Sequence, residues 1–141
     1  MKTETCQCGN LKTKGSLQCM GCYSRRLSDG ESAFNAVWND YVQQSRRRKL
    51  KWSLTKNGAR KLFRGYCFYC GTSPIAVKTI PNGQGSFVFN GIDRRDNSLG
   101  YDKKNCVPCC MICNFMKRSM GVEEFLAHIR RIAGHHEKDK K

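Results

Sequence analysis

The sequence predicts a small zinc-stabilised α+β fold: an N-terminal four-cysteine zinc knuckle, helices, then a treble-clef-like core with a second four-cysteine zinc and a C-terminal helix. Three observations predict it. Ten cysteines stand among 141 residues, in short pairs, and eight of them make two four-cysteine sets. Only 39% of the residues are hydrophobic against 26% charged, too little apolar material for a core without staples. Stretches of helical and strand periodicity are separated by glycine- and proline-marked turns.

Close cysteine pairs suit metal better than disulfide bridges. The start MKTETCQCGN has no apolar stretch, so no signal peptide is expected. No run approaches the roughly 18 apolar residues of a membrane span. A soluble intracellular protein of the cytoplasm, with no membrane partner, is the expectation. Lys and Arg number 26 against 11 Asp and Glu, a net charge of +15. Eight zinc-bound thiolates would lower that charge without cancelling it, so a polyanion is the expected partner. The charges cluster at Arg46-Arg47-Arg48-Lys49 with Lys51, Arg94-Arg95, Lys103-Lys104, Lys117-Arg118 and Arg130-Arg131.

In chain order, Cys6-x-Cys8-x10-Cys19-x2-Cys22 has Gly9, Gly15 and Gly21 in its turns. That spacing suits a tetrahedral zinc knuckle whose folding energy is metal binding. Ser28-Asp29-Gly30-Glu31 resembles a capping box. It opens a helix with a core face of Phe34, Val37, Trp38, Tyr41 and Val42, running out into Arg46–Lys49. Ser53 or Thr55 starts a shorter helix through Ala59, Leu62 and Phe63. Cys67-x2-Cys70-Gly71 is a second knuckle. Ile75–Ile80 reads as a strand, Pro81–Gly85 as a turn, and Ser86–Ile92 as a second strand ending at Asp93. Asp96–Lys104 is a polar loop. Cys110–Ser119 predicts a helix with Cys110 and Cys113 on its first turn. Val122, Phe125, Leu126, Ile129 and Ile132 mark a last amphipathic helix, ended by Gly134. The expected division is a knuckle (1–27), a helical linker (28–65), a core with its C-terminal helix (66–134) and a basic tail (135–141).

Cys67, Cys70, Cys110 and Cys113 make the second zinc site. Cys106 and Cys109 are left as small buried residues. The thiol clip fixes the strand ending at Asp93 against the helix that starts at Cys110. Asp93 then offers an anionic oxygen and Asn114 a neutral carbonyl oxygen. With water and a phosphate oxygen these suit Mg²⁺ or Mn²⁺, which would polarise a phosphodiester and stabilise the leaving 3′ oxygen. Lys117 and Arg118 share the helix face of Asn114 and are placed to hold a phosphate. Asn105 satisfies loop backbone within the active-site loop.

At these residues the chain resembles the HNH (ββα-metal, or His-Me finger) endonucleases. Their Asp-His, Asn and Cys-x-x-Cys-Asn pattern stands here as Asp93-Arg94, Asn105 and Cys110-x-x-Cys113-Asn114. The phage subgroup GIDR-x-DNS-x-GY…N…CC-x-x-CN-x-x-K is matched most closely. The overall layout is also similar to that of a homodimeric rare-cutting restriction enzyme. The resemblance implies a site-specific, divalent-metal-dependent endonuclease that hydrolyses phosphodiester bonds in double-stranded DNA. Its biology would be of restriction or phage homing type, and a homodimer is possible. The core match covers residues 67–119. The departure is Arg94, which replaces the usual general-base histidine and cannot accept a proton; it would clamp phosphate. Tyr69 is a candidate proton acceptor or nucleophile if Arg94 and the metal lower its pKa. Asp96 and a metal-bound water are alternatives, and His128 reads as helix surface. Arg25, Arg26, Arg46, Arg47, Arg48, Lys49, Lys51, Arg95, Lys117 and Arg118 are the expected DNA contacts. The contrasting class is a non-catalytic zinc-ribbon nucleic-acid binder, which has no reason to keep Asp93 and Asn114 beside its zinc.

Overall fold

The computed structural model describes residues 3–5, 11–14, 30–81 and 85–138, and over these the chain is α+β. The elements run β1 (Thr3–Thr5), β2 (Leu11–Thr13), α1 (Glu31–Arg47), α2 (Lys56–Phe63), β3 (Ala76–Thr79), β4 (Ser86–Phe89), β5 (Gly91–Arg94), β6 (Cys106–Cys109), α3 (Met111–Lys117) and α4 (Val122–Glu137). The knuckle ligands Cys6, Cys8, Cys19 and Cys22, the pair Arg25-Arg26, the Ser28-Asp29 half of the capping box and the turn residues 82–84 lie outside the described residues. Among those described, no helix is long and apolar enough to cross a membrane.

Two compact units divide the chain: Met1–Tyr41 with Val77–Val88, and Val42–Ala76 with Phe89–Lys141. In the first, β1 and β2 pair antiparallel with Thr3 opposite Thr13, and β3 pairs with β4. The apolar stripe of α1 buries Ala33, Phe34 and Val37. Phe34 meets Phe87 edge-on at 5.2 Å.

The second unit carries the functional residues. It begins with the last turn of α1, which closes in a Schellman arrangement: Leu50 N–H donates to Ser45 O at 2.8 Å and Lys49 N–H to Arg46 O at 3.0 Å. Lys49 takes the left-handed conformation such a turn needs (φ 55°), a place glycine usually fills. Of the two candidate caps for α2, Thr55 is the one used; its hydroxyl accepts from Gly58 N–H at 3.0 Å. Ala59 and Phe63 are the buried face of α2. β5 and β6 form an antiparallel hairpin with Gly91 opposite Cys109 and Arg94 opposite Cys106, and α3 follows directly. Segment 51–53 docks on the hairpin loop: Tyr101 N–H donates to Lys51 O and Ser53 N–H to Tyr101 O. The approach is so close that a Cβ on Gly100 would lie 2.3 Å from Lys51 O.

Two expectations are corrected and one strand is added. The strand read over Ser86–Ile92 is two strands, β4 and β5, with different partners. The break is at Asn90, whose N–H goes to Phe63 O while its buried amide donates to Gly65 O and Thr72 O. Residues 106–109, for which no element was expected, are a strand, with Cys106 and Cys109 buried as expected. Finally, α4 passes through Gly134 to Glu137. One glycine inside a helix costs only about 1 kcal/mol relative to alanine, too little to end this one.

Candidate active site

The knuckle after α2 is a tight turn, with Cys67 N–H bonded to Thr72 O and Gly71 N–H to Cys67 O. Gly71 adopts φ +73°, which lets Cys67 and Cys70 face one way. Opposite them, Cys110 is the N-cap of α3 and its sulfur accepts from Cys113 N–H at 3.4 Å. The four sulfur atoms of Cys67, Cys70, Cys110 and Cys113 lie within 4.8 Å of one another, Cys70 and Cys110 at 3.7 Å. Tetrahedral zinc with bonds of about 2.3 Å sets its sulfurs about 3.8 Å apart, so this soft donor set fits a zinc ion. Burial opposes ionisation of Cys67, but the backbone N–H groups of Cys110, Cys70 and Tyr69 outweigh it and bring that thiol down to about 6. Burial instead pushes Cys110 and Cys113 up. The two other described cysteines are not among these four, although Cys109 packs against Cys67, Cys110 and Cys113. Cys109 is fully buried with its sulfur donating to Cys110 O, and burial pushes the Cys106 thiol up to about 12.

Asp93 is the penultimate residue of β5 and only 4% exposed. Two side chains grip its carboxylate. The Tyr69 hydroxyl, from the knuckle, donates to Oδ2 at 2.7 Å. Lys117 Nζ, from the last turn of α3, lies 3.2 Å from Oδ2 and 3.4 Å from Oδ1, and donates to Arg94 O at 3.2 Å. Knuckle, strand and helix therefore converge on one carboxylate. Lys117 is 0% exposed, so the expectation that it faces DNA is corrected. It does share a helix face with Asn114, one turn earlier, but that face is turned to β5. Asn114 is half-buried.

Arg94 also turns inward. It is 5% exposed, and its Nη1 donates to Asn97 O at 2.8 Å and Leu99 O at 2.7 Å, with the Tyr101 ring 5.4 Å away. The expected phosphate clamp is instead a brace for the hairpin loop. Tyr69 departs from expectation as well: burial first, then its hydrogen bond to Asp93 and that carboxylate's charge, push the phenol pKa up rather than down. Asn105 holds the loop as its sequence position implied. Its Oδ1 accepts from Asp96 N–H and its Nδ2 donates to Asp96 O and Gly100 O. Asp96 caps the next turn, and Ser98's hydroxyl and N–H hold its carboxyl below the usual range. His128 pairs with Arg131 along α4 at 2.7 Å.

Of the described basic residues read as DNA contacts, Arg46, Arg47, Arg48, Lys49, Lys51, Arg95 and Arg118 are exposed. An open groove of about 430 Å³ runs beside the hairpin loop, between Arg95, Asp96, Lys104 and Asn105 on one side and the start of α4 on the other. The two-sided grip on Asp93 is the feature that reading the sequence missed. Its only signal was the spacing of Lys117 one helical turn after Asn114.

No protein-family model matches the chain. An uncharacterized protein of Acanthamoeba polyphaga mimivirus is 33% identical over 106 residues, which is 72% of this chain and 18% of that relative. The chain thus spans less than a fifth of the curated relative it matches. A solved structure of the rare-cutting HNH restriction endonuclease PacI aligns over 97% of this chain and 99% of its own, with 21% identity and a TM-score of 0.48.

Proposed function

We propose that this chain is a site-specific endonuclease that hydrolyses phosphodiester bonds in double-stranded DNA with Mg²⁺ or Mn²⁺, of restriction or homing type. The observation that carries this reading is Asp93: a buried carboxylate, fixed in orientation from two sides, at the junction of a hairpin, a helix and a four-cysteine cluster. A buried carboxylate held at such a junction is the group a divalent cation would use.

In this reading Cys67, Cys70, Cys110 and Cys113 hold zinc, and the Cys6–Cys22 knuckle holds a second. Asp93 and the Asn114 carbonyl hold the divalent cation, which supplies Lewis acidity at the phosphate and charge neutralisation at the departing 3′ oxygen. Tyr69 fixes the carboxylate's tilt. Lys117 ties the end of α3 to the end of β5, and so sets the separation of Asp93 from Asn114. Asn105 and Arg94 keep the hairpin loop rigid, while exposed Arg95 and Arg118 hold the flanking phosphates. The test is cleavage of supercoiled plasmid with Mg²⁺ or Mn²⁺ and sequencing of the ends. Cutting should stop in EDTA, and Asp93→Ala should abolish cutting while still binding DNA. Equal cutting by that variant would refute the cation site.

A second reading, a non-catalytic zinc-ribbon DNA binder, is favoured by one observation: Lys117 already supplies Asp93 with a positive partner. Under it the chain binds duplex DNA and leaves it intact with every divalent ion.

A further inference from the structure

The strand-facing side of α3 carries Cys113, Asn114 and Lys117. Its other side breaks the ordinary rule for a soluble surface. Met111 is 79% exposed, Ile112 63% and Phe115 73%. At about 100° per residue, Met111 and Phe115 lie one above the other with Ile112 beside them, so the three form a continuous apolar ridge. The ridge is directed away from Lys117 and Cys113. Single exposed apolar residues need no explanation, but contiguous ones mark a contact surface.

The charges around the ridge select the partner. Arg118 follows α3 with its guanidinium 5.7 Å from the centre of the Phe115 ring. Across the knuckle, Arg95 stands over the half-exposed Phe68 ring at the same distance. Two exposed rings at this unit's thiol-cluster end, Phe115 and Phe68, thus each carry a cation that is itself exposed. Against a second copy of a chain of net charge +15, such a rim repels. Against DNA it is complementary, with guanidinium groups for phosphates and aromatic and aliphatic side chains for base faces.

We propose that the Met111–Ile112–Phe115 ridge is a DNA-contacting wedge, which inserts between stacked bases while Arg118 and Arg95 hold the adjoining phosphates. This rests on the reading that the chain acts on duplex DNA, and it adds a surface and a mode of engagement to that reading. Opening one base step would draw the backbone against the same unit that carries Asp93. Apolar side chains of this size are the ones that pry base steps apart, and a basic rim supplies the charge that holds the opened strand.

The test uses the full-length, zinc-loaded chain and needs no cleavage. Random-sequence duplexes containing scattered 2-aminopurine report unstacking by a rise in fluorescence; heparin reports polyanion binding without bases. Wild type should raise the fluorescence. Ile112→Ser/Phe115→Ser should lose that rise and bind duplex DNA at least about tenfold more weakly, with heparin affinity within twofold of wild type. Ile112→Leu/Phe115→Leu, which keeps the ridge apolar, should behave as wild type; zinc content and circular dichroism check that each variant folds. Tight DNA binding by wild type with no fluorescence rise would overturn the wedge while leaving the nuclease reading intact. So would a wild-type dimer in sedimentation that the serine variant converts to monomer without loss of DNA affinity. Failure of wild type to bind DNA at all would overturn both.

Discussion

The thiol cluster and the Asp93 pocket share the strand β5–β6 hairpin and the helix α3, yet they are built on opposite principles. At the cluster, four sulfurs face one another, and backbone N–H groups favour the Cys67 thiolate. At the pocket, one carboxylate already has a phenol and an ammonium of its own. The first arrangement has no reason to be compact except through an ion. The second is already organised by side chains of its own. Under the proposed function a metal that builds the fold would sit in the first, and a metal that works on substrate in the second.

The largest expected effect follows from the cluster. Structural zinc contributes on the order of 10–16 kcal/mol to small zinc modules, more than the whole stability of many domains. Chelation, or Cys113→Ser, should therefore abolish the folded signal of the unit built from residues 42–76 and 89–141, read by circular dichroism and by released zinc. Retention of a cooperative transition after complete zinc removal would break the comparison.

Next comes the pocket. Lys117→Met leaves Asp93 buried beside Tyr69 alone and should cost about 3–5 kcal/mol in urea unfolding, as removal of one partner from a buried pair does. Asp93→Leu/Lys117→Met should recover most of that loss, because it removes the stranded charge. Both variants should keep full zinc content. If Lys117→Met sheds zinc, the two regions are one cooperative site rather than two.

How much of this was legible beforehand follows the same division. Cysteine spacing is a local signal, and the pairs Cys67/Cys70 and Cys110/Cys113 do come together. So is the apolar stripe of α1, down to its buried Phe34 and Val37. The pocket was read only in outline. Helical spacing correctly put Lys117 and Asn114 on one face, but spacing does not say what that face meets; β5 met it, and Lys117 went inside. Arg94 follows Asp93 on a strand, where alternation would send one of them out. Both are buried because the hairpin loop folds back over Arg94 and offers it the carbonyls of Asn97 and Leu99. β6 is not legible in the sequence, where Cys106 and Cys109 read only as small buried residues. Its identity as a strand comes from pairing with β5 at a distance in sequence.

A smaller perturbation separates the loop from the cluster. Gly100→Ala would set a methyl group against the Lys51 carbonyl, and overpacking against backbone costs about 1–3 kcal/mol. The change should lower stability and slow DNA cutting, since the loop braced by Asn105 carries the pocket, and should leave zinc content unchanged. The smallest effect lies outside both regions. Lys49→Gly relieves a left-handed L-residue at the end of α1 and should raise stability by up to about 1 kcal/mol, with DNA affinity lowered only by the loss of one exposed charge.

The central claim is that Asp93 and Asn114 together hold the working cation. Anomalous diffraction from a crystal soaked in manganese addresses it directly. The expected result is a manganese peak about 2.1 Å from an Asp93 carboxylate oxygen, with the Asn114 carbonyl in the same shell and Lys117 withdrawn from that oxygen. Fully occupied zinc at the cysteines, with Lys117 still on both carboxylate oxygens and no manganese between β5 and α3, would contradict it.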